Sequence, residues 1–156
     1  MGTSRVTKIP FIAVIGLTVV WGAFLASHRW VWNLSDSVKP RVGYLSDAPV
    51  ARGDYVHFEF HHPLLFDNKP VKLTKRLACE AGDIVTTVER DLYCNGHFVA
   101  HALKTTGSGK PLSVFVLDGP IPPGKVLLLG DSDTSFDGRY WGLVDRDRLQ
   151  KVVPVI

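Results

Sequence analysis

The sequence predicts an all-β domain of antiparallel strands carried on an N-terminal helix. Three observations support this. Tyr55-Val56-His57-Phe58-Glu59-Phe60 alternates apolar and polar residues after a Gly53-Asp54 turn, the period of a half-buried strand. Asn95-Gly96 lies between Leu92-Tyr93-Cys94 and His97-Phe98-Val99, the strongest short hairpin signal in the chain. Ile9 to Ser27 holds no formally charged residue. As a helix it would span roughly 28 Å, close to a bilayer core.

The other elements follow in chain order. Residues 1–8 form a short basic tail, 9–27 a transmembrane anchor, and 28–156 the β domain. A cleavable signal needs small residues at the third and first positions before the cut. Cutting after Ala26 puts Phe24 at the third position, and cutting after Ser27 puts Leu25 there. The segment therefore reads as an uncleaved anchor, with Trp30 and Trp32 as interfacial aromatics. Val71 to Cys79 is a second strand, Glu80 to Asp83 a turn, and Ile84 to Val88 a third strand. Thr105 to Lys110 is a loop. Leu112 to Leu117 and Lys125 to Leu129 are further strands, separated by a Gly/Pro-rich turn at Gly119 to Gly124. No long stretch beyond residue 30 has helical periodicity.

Composition bounds the function classes. A chain of 156 residues with 46% hydrophobic content supports one domain with a real core. A net charge of +3 is too mild to imply a nucleic-acid partner and fits a basic surface near lipid headgroups. The amino terminus, Arg5 and Lys8 precede the apolar span, and Arg29, Lys39 and Arg41 follow it, so the charge rule votes only weakly for an inside amino terminus. Cys79 and Cys94 form no CxxC pair. They are either a disulfide between neighbouring strands, in an oxidising compartment, or two buried free thiols.

No cofactor or metal is expected. His57, His61 and His62 are close in sequence, but no cysteine or acidic partner completes a metal site. Asp131, Asp133 and Asp137 lack the glutamate that closes a calcium loop. Gly107-Ser108-Gly109-Lys110 lacks the preceding glycine and following Ser/Thr of a phosphate loop.

Three blocks carry chemistry: Ser35-Asp36-Ser37-Val38-Lys39-Pro40, Lys75-Arg76 followed by Gly82-Asp83, and Gly130-Asp131 followed by Ser135-Phe136-Asp137-Gly138-Arg139-Tyr140-Trp141-Gly142. A serine hydroxyl is a weak nucleophile and needs an adjacent base. Lysine is a base only when neutral, which requires its pKa to fall two to three units from about 10.4, as apolar burial can arrange. Leu73 and Leu77 are same-face strand neighbours of Lys75, whereas Arg76 points to the opposite face.

In order and spacing these blocks resemble the type I signal peptidases. That family's serine motif, Ser-x-Ser-x-x-Pro, matches Ser35, Ser37 and Pro40. The resemblance implies Ser37 as nucleophile, Lys75 as general base, and Ser35 with the Ser37 N–H as oxyanion donors. It also implies that Ser135 orients the lysine amine and that Asp137 and Arg139 pair as structural support. Ala81 replaces the usual proline of the lysine block, and Val38 stands where the general enzymes carry methionine. The single span, the small core, and Asn33 and Gly43-Tyr44 resemble the conjugative-transfer branch. The Ser-to-Pro spacing resembles the general enzymes instead.

The implied function is a membrane-anchored serine endopeptidase acting on exported or membrane-bound precursor proteins, a conjugative pilin precursor among them. Its catalytic domain would lie on the periplasmic side of the cytoplasmic membrane, against lipid. The competing readings are a general signal peptidase and an inactive anchored scaffold of a secretion complex.

Overall fold

A computed structural model describes residues 8–27, 29–33, 35–63 and 69–156, with side chains from residue 13 onward. Most of it is antiparallel β structure in two sheets. Helix α1 (Lys8–Ser27) precedes strands β1 (Trp30–Trp32), β2 (Val42–Ser46), β3 (Tyr55–Phe60), β4 (Val71–Glu80), β5 (Ile84–Val88), β6 (Asp91–Cys94) and β7 (His97–His101). Then come β8 (Gly119–Pro120), β9 (Lys125–Leu129), the short helix α2 (Gly138–Trp141), β10 (Leu143–Asp145) and β11 (Gln150–Pro154). The large sheet runs β1-β2-β11-β3-β4-β9-β10 and the small sheet β7-β6-β5-β8.

The β3, β5 and β9 boundaries coincide with the alternating or apolar runs that predict them. β9 also explains its own composition. Leu127 and Leu129 enter a core with Val85 and Leu92 of the small sheet and Ile121 just after it. Val126 and Leu128 enter a second core with Val56, Phe58 and Leu77. A strand covered on both faces reads as an unbroken apolar run. The hairpin at Asn95-Gly96 places both residues at positive φ, 50° and 79°, as a two-residue turn of this type requires.

One expected strand is absent. Leu112 to Leu117 forms no strand. A side chain and a carbonyl of α2 take its backbone groups: Phe115 N donates to the Arg139 carbonyl, and Thr87 Oγ1 donates to the Phe115 and Leu117 carbonyls. Strands β1, β2, β10 and β11, and helix α2, are short or weakly patterned, and the sequence does not announce them.

The expected membrane span needs a correction. Among the described residues no helix is long and apolar enough to cross a membrane. The basic tail, residues 1–7, lies outside the described residues. The end of α1 is joined to the sheet: Trp30 Nε1 donates to the Leu25 carbonyl at 2.8 Å, and Phe24, Trp30 and Tyr44 pack edge to face.

Cys79 on β4 and Cys94 on β6 meet as a disulfide across the two sheets, with Cα atoms 6.4 Å apart. The turn between β4 and β5 is closed by buried Asp83, which accepts from Glu80 N, Arg52 and Asn95 Nδ2.

Candidate active site

The three sequence blocks converge on one cleft of about 580 Å³. Ser35 and Ser37 from the loop after β1, Lys75 and its strand neighbours from β4, His57 from β3, and Phe136 from the loop after β9 all line it. Antiparallel pairing of β4 with β3 and β9 brings Lys75 opposite Val56 and Arg76 opposite Leu129. The Gly130–Gly142 block therefore begins where β9 ends, beside the lysine.

Lys75 is only 3% exposed. Burial pushes its amine down from an ordinary 10.5 to about 8. The Asp137 carboxylate opposes that fall, the Arg139 guanidinium adds to it, and Asp131 opposes it more weakly. Lys75 Nζ donates to Ser135 Oγ at 2.6 Å. A hydroxyl acceptor directs the amine without restoring its proton affinity, as a contacting carboxylate would. An amine of this kind is partly neutral near pH 8 and can take a proton.

Ser37 is half-buried, and Ser35 Oγ donates to its Oγ at 3.2 Å. Lys75 and Ser37 share the cleft, but among the described residues the amine bonds Ser135 and not Ser37. The Ser35 hydroxyl, expected to face an oxyanion, is here engaged with Ser37. The Ser37 N–H has no acceptor among the described residues, so that donor is available.

Asp137 and Arg139 are 0% and 2% exposed and pair through two bonds of 2.8 Å. The remaining donors of Arg139 reach the carbonyls of His101, Asp133 and Ser132, and Asp137 Oδ2 accepts Gly130 N at 2.7 Å. A fully bonded pair of this kind holds the loop that carries Ser135.

The sequence reading assigned no role to Asp131, yet it is the hub of the site. Its N–H donates to the Ser37 carbonyl at 2.7 Å. Its carboxylate accepts from Lys39 N at 2.8 Å, Tyr55 OH at 2.7 Å and Arg76 Nε at 3.1 Å. These donors hold the carboxyl below its ordinary range despite burial, while burial first and then the neighbouring carboxylate push Tyr55 up to about 12. Asp131 thus ties the serine loop to the strand that carries Lys75. The signal was available: an aspartate in one block can serve the arginine next to the lysine in another. Gly130 beside it leaves no room for a side chain. An added Cβ would lie 2.1 Å from Ser135 Oγ and 2.7 Å from the Ser37 carbonyl.

The three histidines go to different neighbours. His57 pairs with Thr74, His61 with Glu59, and His62 packs on Phe60 and Phe136. Cys79, Asp83 and Cys94 lie within 4.8 Å of one another, but the sulfurs bond each other and Asp83 is taken by Arg52 and Asn95.

Comparison with known proteins identifies the family. Residues 4–155 match the family model described as "Signal peptidase, peptidase S26". A plasmid transfer protein TraF of Escherichia coli is 30% identical, over 97% of this chain and 96% of its own. A second Escherichia coli protein of that name is 28% identical, over 98% of each. A signal peptidase I structure from Enterococcus faecalis V583 aligns with TM-score 0.44 and 22% identity, over 69% of this chain and 99% of its own. A family match along nearly the whole length, over a cleft that gathers the three blocks, leads to one conclusion: the chain belongs to the signal peptidase family, peptidase S26.

Proposed function

We propose that the chain is a membrane-anchored serine endopeptidase using Ser37 as nucleophile and Lys75 as general base. Family membership implies peptidase activity. The observation that carries the finer reading is Lys75 itself: a buried amine held near pKa 8, aimed by Ser135, in the cleft that contains Ser37. Neutral Lys75 takes the Ser37 proton as Oγ attacks the scissile carbonyl. The Ser37 N–H and a rotated Ser35 hydroxyl receive the oxyanion. Protonated Lys75 then gives its proton to the leaving amine, and water releases the acyl group by the same route in reverse. Asp131 positions Ser37, while Asp137 and Arg139 position Ser135.

Anchoring rests on α1 and the residues before it. Leu17, Val19 and Val20 are exposed, no formally charged residue occurs from Ile9 to Ser27, and surface of that kind is stable against lipid. The Cys79–Cys94 disulfide suits a periplasmic domain. The substrate is an exported or membrane-bound precursor protein. Two relatives named as plasmid transfer proteins favour a conjugative pilin precursor.

The test is mass spectrometry of candidate precursors incubated with wild type and with Ser37→Ala. Wild type should yield a defined product, and the variant should leave the precursor intact. Equal cleavage by both would refute the serine assignment. Protease added to spheroplasts should degrade the domain, and full protection would refute the periplasmic orientation.

A further inference from the structure

The cleft does not end at Ser37 and Lys75. Trp32, His57 and Lys72 line both it and an adjoining cleft of about 660 Å³ that reaches Arg148. The two form one groove with Lys72 at their junction. Lys72 stands three residues before Lys75 on β4, about 10 Å away along the strand.

Lys72 is exposed, and among the described residues it makes no ion pair or hydrogen bond. Glu59 lies directly across the β3–β4 ladder but pairs with His61 at 3.4 Å instead. The Lys72 charge is felt in the groove: after burial, it is what holds the His57 imidazole below its ordinary range. Arg148 adds positive charge at the far end, touching Asp145 only loosely at 3.8 Å.

We propose that Lys72 is a specificity residue that reads a carboxylate side chain of the bound substrate, about three residues from the scissile bond. The inference rests on the reading of this groove as a peptidase cleft. An extended peptide advances about 3.3 Å per residue, so three residues cover the distance from the Ser37–Lys75 end to Lys72. The bound carboxylate would meet a lysine that has no ion-pair partner among the described residues. Trp32, two-thirds exposed beside it, gives the substrate an apolar wall.

The full chain carrying Ser37→Ala, in detergent micelles, separates this idea from catalysis. Its binding to peptides bearing a single Glu or a single Lys, scanned over four positions on either side of the scissile bond, is followed by tryptophan fluorescence. At low salt the Glu peptide should bind about threefold to tenfold tighter than the Lys peptide at one position near the third. Molar salt should erase the difference. Adding Lys72→Gln should abolish the preference, and adding Lys72→Glu should reverse it. No preference at any position, or a preference unchanged in Lys72→Glu, would overturn the proposal. A wild-type chain that binds the Glu peptide preferentially but cleaves no peptide would overturn the peptidase reading alone.

Discussion

The two sheets differ in what they hold together. On the large sheet and its connecting loops, groups from Trp32 to Phe136 meet in one cleft, braced from behind by hydrogen bonds that cross up to 92 positions of sequence. The small sheet, β5 to β8, contributes none of the expected catalytic residues. It supplies apolar cover for β9 and one covalent tie to β4. Its own ladders are mostly local hairpins. Chemistry is therefore assembled where contacts are long-range and polar, and braced where they are short-range and apolar. A polar substitution near the cleft should cost activity before stability, and a change in the small sheet the reverse.

The sharpest break comes from the groups proposed to react. Lys75→Ala and Lys75→Arg should each lower kcat by at least about a thousandfold while the domain stays folded, because arginine cannot shed its proton. Near-normal turnover by Lys75→Arg would return attention to His57 as base. The wild-type rate should rise with pH through an apparent pKa of about 8.

Asp131→Ala comes next. It should lower kcat roughly tenfold to a hundredfold with little change in KM, because the serine loop loses its tie to Tyr55 and Arg76. A pure KM effect would mean that the loop is held by other contacts.

Stability effects on the site side carry a definite sign. Lys75 titrates near 8 when folded and near 10.5 when unfolded, so between those values the unfolded chain binds more protons. Stability should rise with pH over that window, and below it the buried cation costs about 3 kcal/mol. Lys75→Met should flatten the dependence in denaturant titrations at pH 7 and pH 10 and be the more stable protein at pH 7. An unchanged slope would mean that the amine is not desolvated.

On the brace, the double change Cys79→Ala with Cys94→Ala opens a loop of sequence separation 15, with an expected stability loss of about 3 kcal/mol. The rate well below the melting temperature should stay within about twofold. A loss of kcat matching that of Asp131→Ala would erase the distinction between the sheets. The smallest effect is expected at Phe98→Ser on exposed β7, within about 0.5 kcal/mol and without a change in rate.

What the sequence made legible follows the same division. β3, β5, β9 and the Asn95-Gly96 hairpin declare themselves because their signals are local: alternation, an apolar run, a turn dipeptide. Leu112–Leu117 reads as a strand by the same local rule, but its backbone groups are taken by Thr87 and the Arg139 carbonyl. The cleft residues Ser37, Lys75 and Ser135 were legible only as spaced blocks. The role of Asp131 was not, because its four partners come from residues 37, 39, 55 and 76 and nothing local marks them. The large-sheet strands β1, β2 and β11 escaped notice because each takes its order from partners distant in the chain.

Gly130 has a practical consequence. Ser37→Ala removes the hydroxyl proposed to attack and so alters what a bound substrate meets. A methyl at position 130 would act differently, wedging Ser135 away from the Ser37 loop while every hydroxyl, amine and carboxylate of the cleft remains present. Gly130→Ala is therefore expected to lower turnover with all the side chains of the cleft still present, because Ser135 and the Ser37 carbonyl must move to admit the methyl.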